Sequence, residues 1–123
     1  MNKAKYFKDA EFMACDPPCS IEDMDARFLS LLDDIRQRAG IPLVLNCAYR
    51  SRQHDLAKGR SGNSAHTRGK AVDIRCSTSQ NRLRIVTASI ECGINRIGIG
   101  RNFVHIDRGD EDELPKNVMW HYY

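Results

Sequence analysis

The sequence predicts an α+β fold: a small, mainly antiparallel sheet flanked by helices, in a single domain spanning residues 1–123. Three observations predict it. A stripe of apolar residues at helical spacing runs from Ile21 to Ala39, short strand-length segments follow from Pro42 onward, and a second helical pattern interrupts those strands. A length of 123 residues with 41% hydrophobic content suits one core.

The first element is expected from Ser20 to Ala39. Ile21, Met24, Phe28, Leu31, Leu32, Ile35 and Ala39 recur at three- and four-residue steps, with Ser20 as N-cap and Glu22 and Asp23 in the first turn. Gly40 and Pro42 end it. Pro42 to Tyr49 reads as a short buried strand, and a helical turn follows over Ser51 to Lys58. Gly59 to Ser64 is small and polar, a loop by composition. Lys70 to Cys76 alternates as a second strand. Leu83, Val86 and Ile90 share one face of a helix from Ser79 to Cys92, closed by Gly93. Ile94 to Ile99 and Phe103 to Asp107 read as paired strands joined through Gly100-Arg101-Asn102, and the tail from Asn117 to Tyr123 as an edge strand.

Charge and cysteine content narrow the function classes. The net charge of +3 is too small to imply a nucleic-acid partner, and none is expected. Nine Lys and Arg against two acids lie between Arg50 and Arg84, a net of +7, which suggests a surface that meets something anionic. No apolar run approaches the roughly 20 residues of a membrane helix, so no membrane insertion is expected. Met1 to Met13 lacks the apolar core of a secretory signal, so synthesis in the cytoplasm is expected. The odd number of cysteines, five, favours reduced thiols; Cys15 and Cys19 leave open a pairing or a metal knuckle, and Cys47, Cys76 and Cys92 read as small core residues.

The stretch Ser64-Ala65-His66-Thr67-Arg68-Gly69-Lys70-Ala71-Val72-Asp73 carries the chemistry. In a strand over residues 70–76, Asp73 shares a face with Ala71 and Arg75, away from Val72 and Ile74. In Phe103-Val104-His105-Ile106-Asp107, His105 and Asp107 share a face opposite Val104 and Ile106. Two imidazoles and a carboxylate brought together from neighbouring strands make a three-ligand zinc site that keeps a position open for water.

The pattern Ser-x-His-x-x-Gly-x-Ala-x-Asp, followed some thirty residues later by Phe-Val-His-Ile-Asp, resembles the signature of the zinc D-alanyl-D-alanine carboxypeptidase family. That family includes phage L-alanyl-D-glutamate endolysins and shares its fold with the hedgehog signalling domain. Glu11 to Cys15, Ile35-Arg36, Pro42-Leu43 and Tyr49-Arg50-Ser51 resemble the family's small members as well. The resemblance implies one zinc per chain held by His66, Asp73 and His105. It also implies that Arg50 binds or polarises a substrate carbonyl or carboxylate, a task suited to a guanidinium fork. Ser64 falls beside the first ligand, to hold the His66 loop or a substrate group.

Relatives place a Glu or His two to six residues before the last histidine ligand as general base; Ile99 to Phe103 offer none here. Asp107 is the nearest titratable group, either as base or as a carboxylate orienting a ligand, and His121 is the other candidate base. The implied substrate is a peptidoglycan stem peptide, cut by a monomeric, phage- or prophage-encoded enzyme acting on the cell wall. A catalytically inactive zinc-binding module of the same fold is the alternative.

Overall fold

Asp25, rather than Ser20, starts the long helix. In the computed structural model, which describes residues 1–123, Ser20 caps only a 3-10 turn over Ile21–Asp23. The backbone then extends through Met24, and the Asp25 carboxylate accepts from the Phe28 amide at 3.0 Å to open the helix Ala26–Ala39. The break has a tertiary cause: the Asp25 amide donates to the Gly69 carbonyl at 3.0 Å, joining this corner to the loop that carries His66. The apolar stripe lies where its periodicity places it, with Phe28, Leu32, Ile35 and Ala39 buried, and Gly40 caps the C-terminus.

In chain order the helices are α1 (Asp9–Met13), α2 (Ala26–Ala39), α3 (Arg52–Ala57) and α4 (Ser79–Glu91). The strands are β1 (Leu45–Cys47), β2 (Ala71–Arg75), β3 (Arg96–Ile99), β4 (Phe103–Asp107) and β5 (Val118–His121). Ser51 and Thr78 cap α3 and α4 by accepting from the His54 and Asn81 amides. The first strand is shorter than its apolar run because its pairing with β2 shifts register between Leu45 and Cys47.

The sheet order is β1-β2-β4-β3-β5. The first three pairings are antiparallel, and β5 joins the edge parallel to β3. One cross-strand row traverses the whole sheet: Cys47, Asp73, His105, Gly98 and Trp120 are successive partners. The opposite face carries Val72, Ile74, Val104 and Ile106, which join Phe28, Leu32, Ile35, Ile85 and Ala88 in one core. Burying each such aliphatic side chain contributes about 1.5–3 kcal/mol. A one-residue slip of β4 would send Val104 and Ile106 to the polar face, so the core fixes where His105 points.

On α4 the buried strip is Ile85, Ala88 and Ser89, whereas Leu83 and Ile90 are exposed. The helix therefore turns a different face to α2 and β4 than the Leu83–Val86–Ile90 spacing suggests. No helix is long and apolar enough to cross a membrane. The basic middle of the chain is not one open surface. The acidic run after β4 folds back on it, placing Glu111 and Asp112 3.3 and 3.4 Å from the Lys70 ammonium and Asp112 3.7 Å from Arg68.

Candidate metal centre

His66 sits in a 3-10 turn over Ala65–Arg68 that Gly69 ends in the left-handed region, φ 69°. A Cβ on Gly69 would lie 2.5 Å from the Asp23 carbonyl oxygen and 2.9 Å from the Asp25 nitrogen. Glycine thus meets both the conformation and the close approach that return the chain to the sheet as β2. Asp73 and His105, paired across β2 and β4, then face the turn.

His66 Nε2 lies 3.5 Å, and His105 Nδ1 2.8 Å, from the same Asp73 oxygen, Oδ1. The other nitrogen of each ring is engaged. His66 Nδ1 donates to the Ala48 carbonyl, and His105 Nε2 donates to Asp107 Oδ2 at 2.6 Å. Those contacts set which nitrogens face the common point, as the outer partners of metal-binding histidines do. Burial pushes the Asp73 carboxyl up, but hydrogen bonds from His105 and His66 outweigh it and hold it well below the usual carboxylate range. Burial pushes both imidazoles down, but hydrogen bonds outweigh it and hold both above the ordinary histidine value, with Asp73 and then Cys47 for His66 and with Asp107 and then Asp73 for His105. Two nitrogens and one carboxylate oxygen converging beside an open cavity fit a zinc ion with a vacant coordination position.

Donor atoms of Cys47, His66 and Asp73 also lie within 4.8 Å of one another. The Cys47 sulfur is 3.8 Å from His66 Nδ1, the nitrogen held by Ala48, whereas Asp73 and His105 gather about the Nε2 side. The thiol therefore stands behind the His66 ring, outside the converging set. It is buried as expected of a core cysteine, yet it lies on the site row and accepts from Arg50 Nη1 at 3.3 Å.

Arg50 is held by a carboxylate that the sequence did not single out. Its Nε and Nη2 donate to Asp55 Oδ1 at 3.0 and 2.9 Å. The same oxygen accepts from Ser64 Oγ at 2.6 Å, and Asp55 Oδ2 accepts from the Gly62 amide at 2.8 Å. Asp55 is fully buried; burial pushes its carboxyl up, but the Ser64, Arg50 and Gly62 hydrogen bonds hold it below its ordinary value. Ser64 thereby ties down the loop that leads to His66. The one sequence signal for Asp55 was that it is one of only two acids within a basic stretch.

Asp107 is 1% exposed and both its oxygens are engaged. Oδ2 faces His105, while Oδ1 accepts from Arg96 Nε at 2.6 Å and from the Gly109 amide at 2.7 Å. This geometry orients a ligand and commits both oxygens to partners within the chain. His121 does not reach the site. It is exposed and packs on Tyr123, with ring centroids 5.2 Å apart, because strand alternation sends Trp120 inward and His121 outward. The Trp120 ring lies 5.5 Å from that of His105. Gly98 makes the room: a Cβ there would meet Trp120 and Tyr122 ring atoms at 2.7 Å.

These groups line a cavity of 240 Å³, walled also by Arg60, Phe103 and Tyr122. A larger hollow beside the start of α2, lined by Arg27, Asp34, Arg108 and Glu111, gathers no such donors. Cys15 and Cys19 are free thiols that donate to backbone carbonyls, Cys15 to those of Glu11 and Leu45 and Cys19 to that of Phe12. Burial pushes the Cys15 thiol up to about 12.

No curated protein matches the chain. The family model for Peptidase M15 matches residues 5–107, from ahead of α1 to the end of β4. That span contains His66, Asp73 and His105 together with Arg50, Asp55 and Asp107, and it covers most of the sequence. On that match the chain belongs to the Peptidase M15 family of zinc-dependent peptidases.

Proposed function

We propose that the chain hydrolyses a peptide bond in the stem peptide of peptidoglycan, as a D-Ala-D-Ala carboxypeptidase or an L-Ala-D-Glu endopeptidase, with one zinc held by His66, Asp73 and His105. The observation that carries this reading is the convergence of three donor atoms on one point beside a cavity, each imidazole fixed from behind. When bound, zinc supplies Lewis acidity toward water and the scissile carbonyl. The rest falls to the chain's own side chains. Arg50, pinned by Asp55, keeps N–H groups on Nη1 and Nη2 free for the oxygen on which charge develops. Asp107 and Arg96 hold the His105 ring in register. Trp120 and Tyr122 wall the cavity and exclude water from one side.

One observation favours a second reading, a zinc-binding module without turnover. Each cavity carboxylate is already committed, Asp73 to the imidazoles and Asp107 to His105, Arg96 and Gly109, so no idle base faces the cavity. Elemental analysis combined with mass spectrometry of stem-peptide digests, with and without chelator, separates the two. One zinc per chain with chelator-sensitive cleavage is the expected result, and the product masses identify the bond. Zinc without cleavage would establish the module, and no zinc after reconstitution would remove the site.

A further inference from the structure

Three arginines line the cavity, and two are neutralised. Arg50 pairs with Asp55 at 2.9 Å and Arg96 with Asp107 at 2.6 Å. Arg60 has no carboxylate within 4.0 Å. Its guanidinium lies over the Tyr122 ring, 5.4 Å from the centroid. Stacking on an aromatic face orients the guanidinium plane while leaving its edge N–H donors unspent.

The loop beneath Arg60 is anchored. The Arg60 amide donates to the Asp55 carbonyl at 2.9 Å, and the Gly62 amide to the Asp55 side chain at 2.8 Å. The residue that pins Arg50 against the donor set therefore also pins the loop that presents Arg60. Asp107 and Asp55 are each matched by an arginine and Asp73 by the two imidazoles, so Arg60 is the cavity arginine whose guanidinium has no carboxylate partner.

We propose that Arg60, braced on Tyr122, is a substrate-binding residue that selects peptides with a free carboxylate next to the bond to be cleaved. The inference rests on the peptidase reading above and deepens it. The carboxylate has two possible sources, the C-terminus of the peptide or the free carboxyl of an acidic residue flanking the bond. Both present the same planar anion to a guanidinium fork.

The test compares zinc-loaded wild type with Arg60→Gln, an exposed loop substitution that removes the charge and keeps hydrogen-bonding capacity. Two substrate pairs distinguish the sources: N-acetyl-D-alanyl-D-alanine against its C-terminal amide, and L-alanyl-D-glutamate with its α-carboxyl free or amidated. Wild type is expected to favour the acid in one pair by about tenfold in kcat/KM, the scale of one accessible charge-assisted hydrogen bond. Arg60→Gln is expected to bring that ratio to within about twofold of unity, and the pair that responds names the source. A ratio retained by Arg60→Gln overturns the proposal.

A binding readout keeps the test independent of turnover. Trp120 is the chain's one tryptophan, with its ring centroid 6.3 Å from that of Tyr122. Fluorescence titrations of both proteins with N-acetyl-D-alanine and its amide report carboxylate binding directly. If wild type cleaves neither pair, the peptidase reading fails. Acid-selective quenching that disappears in Arg60→Gln would still support the carboxylate site, and acid and amide indistinguishable in wild type would overturn it.

Discussion

Replacing Asp55 by Asn tests the support beneath the site more sharply than replacing any ligand. The carboxylate is fully buried and takes four hydrogen bonds, two from Arg50 and one each from Ser64 and Gly62. Asparagine retains one acceptor oxygen and turns an NH2 group toward donors, whichever way the amide is flipped. The Arg50 guanidinium, 6% exposed, is left without its countercharge. Breaking a buried ion pair by removing one partner costs about 3–5 kcal/mol. At roughly 3–5 °C per kcal/mol for a domain of this size, the melting temperature should fall by about 10–20 °C at pH 7.

Thermal denaturation followed by circular dichroism reads the loss. The double variant Arg50→Met/Asp55→Asn should recover part of it, because the stranded charge is gone as well. The pH dependence has a definite sign. Asp55 is held below its unfolded value of about 3.9, so its contribution is complete above that pH and is lost as pH falls through the lower, folded value. The gap between wild type and Asp55→Asn should therefore be widest near neutrality and narrow on acidification. A variant melting within about 2 °C of wild type at pH 7 would refute the reasoning, since that corresponds to well under 1 kcal/mol.

Four further outcomes are expected. His66→Ala and Asp73→Ala should each lose bound zinc in elemental analysis, and full retention in either would remove that ligand. Asp107→Asn should weaken zinc binding about 10–100-fold in competition with a chromophoric chelator, as loss of an orienting partner does; unchanged affinity with collapsed kcat would instead make Asp107 the proton acceptor. Arg50→Lys should keep zinc and lose about 10²–10³-fold in kcat on stem peptides, because a point charge cannot reproduce the fork; unchanged kinetics would place Arg50 outside the reaction. Gly98→Val should displace Trp120 from His105, costing about 1–3 kcal/mol in stability and shifting Trp120 emission; unaltered emission would contradict the close stacking.

Much of the fold was legible because periodicity reports burial directly. Val72 and Ile74 alternate with Asp73, and Val104 and Ile106 with His105, and the structure buries the four aliphatic residues on one face and sets Asp73 and His105 on the other. Helix starts were harder. Ser20 and Asp25 are both good caps, and the choice between them was made by the Gly69 carbonyl, more than forty residues away. On α4 the exposed Leu83 and Ile90 advertised one face while Ile85 and Ala88 were the buried one, a decision that belongs to the packing partner α2.

Around the site, what the sequence determined by itself was the donor set and the strands that carry it, since ligand chemistry and two-residue alternation are local properties. Only the tertiary structure decided what surrounds those donors. It buried Asp55 beneath Arg50, closed both oxygens of Asp107, turned His121 outward, moved Cys47 from an ordinary core position to the site row, and left Arg60 as the one unpaired cavity arginine. It also folded the acidic run after β4 onto Lys70 and Arg68, so that the basic stretch read along the chain is partly neutralised in space. The physical reason is the same in each case: a charge's environment is set by what packs against it, and those partners come from elements that lie far apart in the chain.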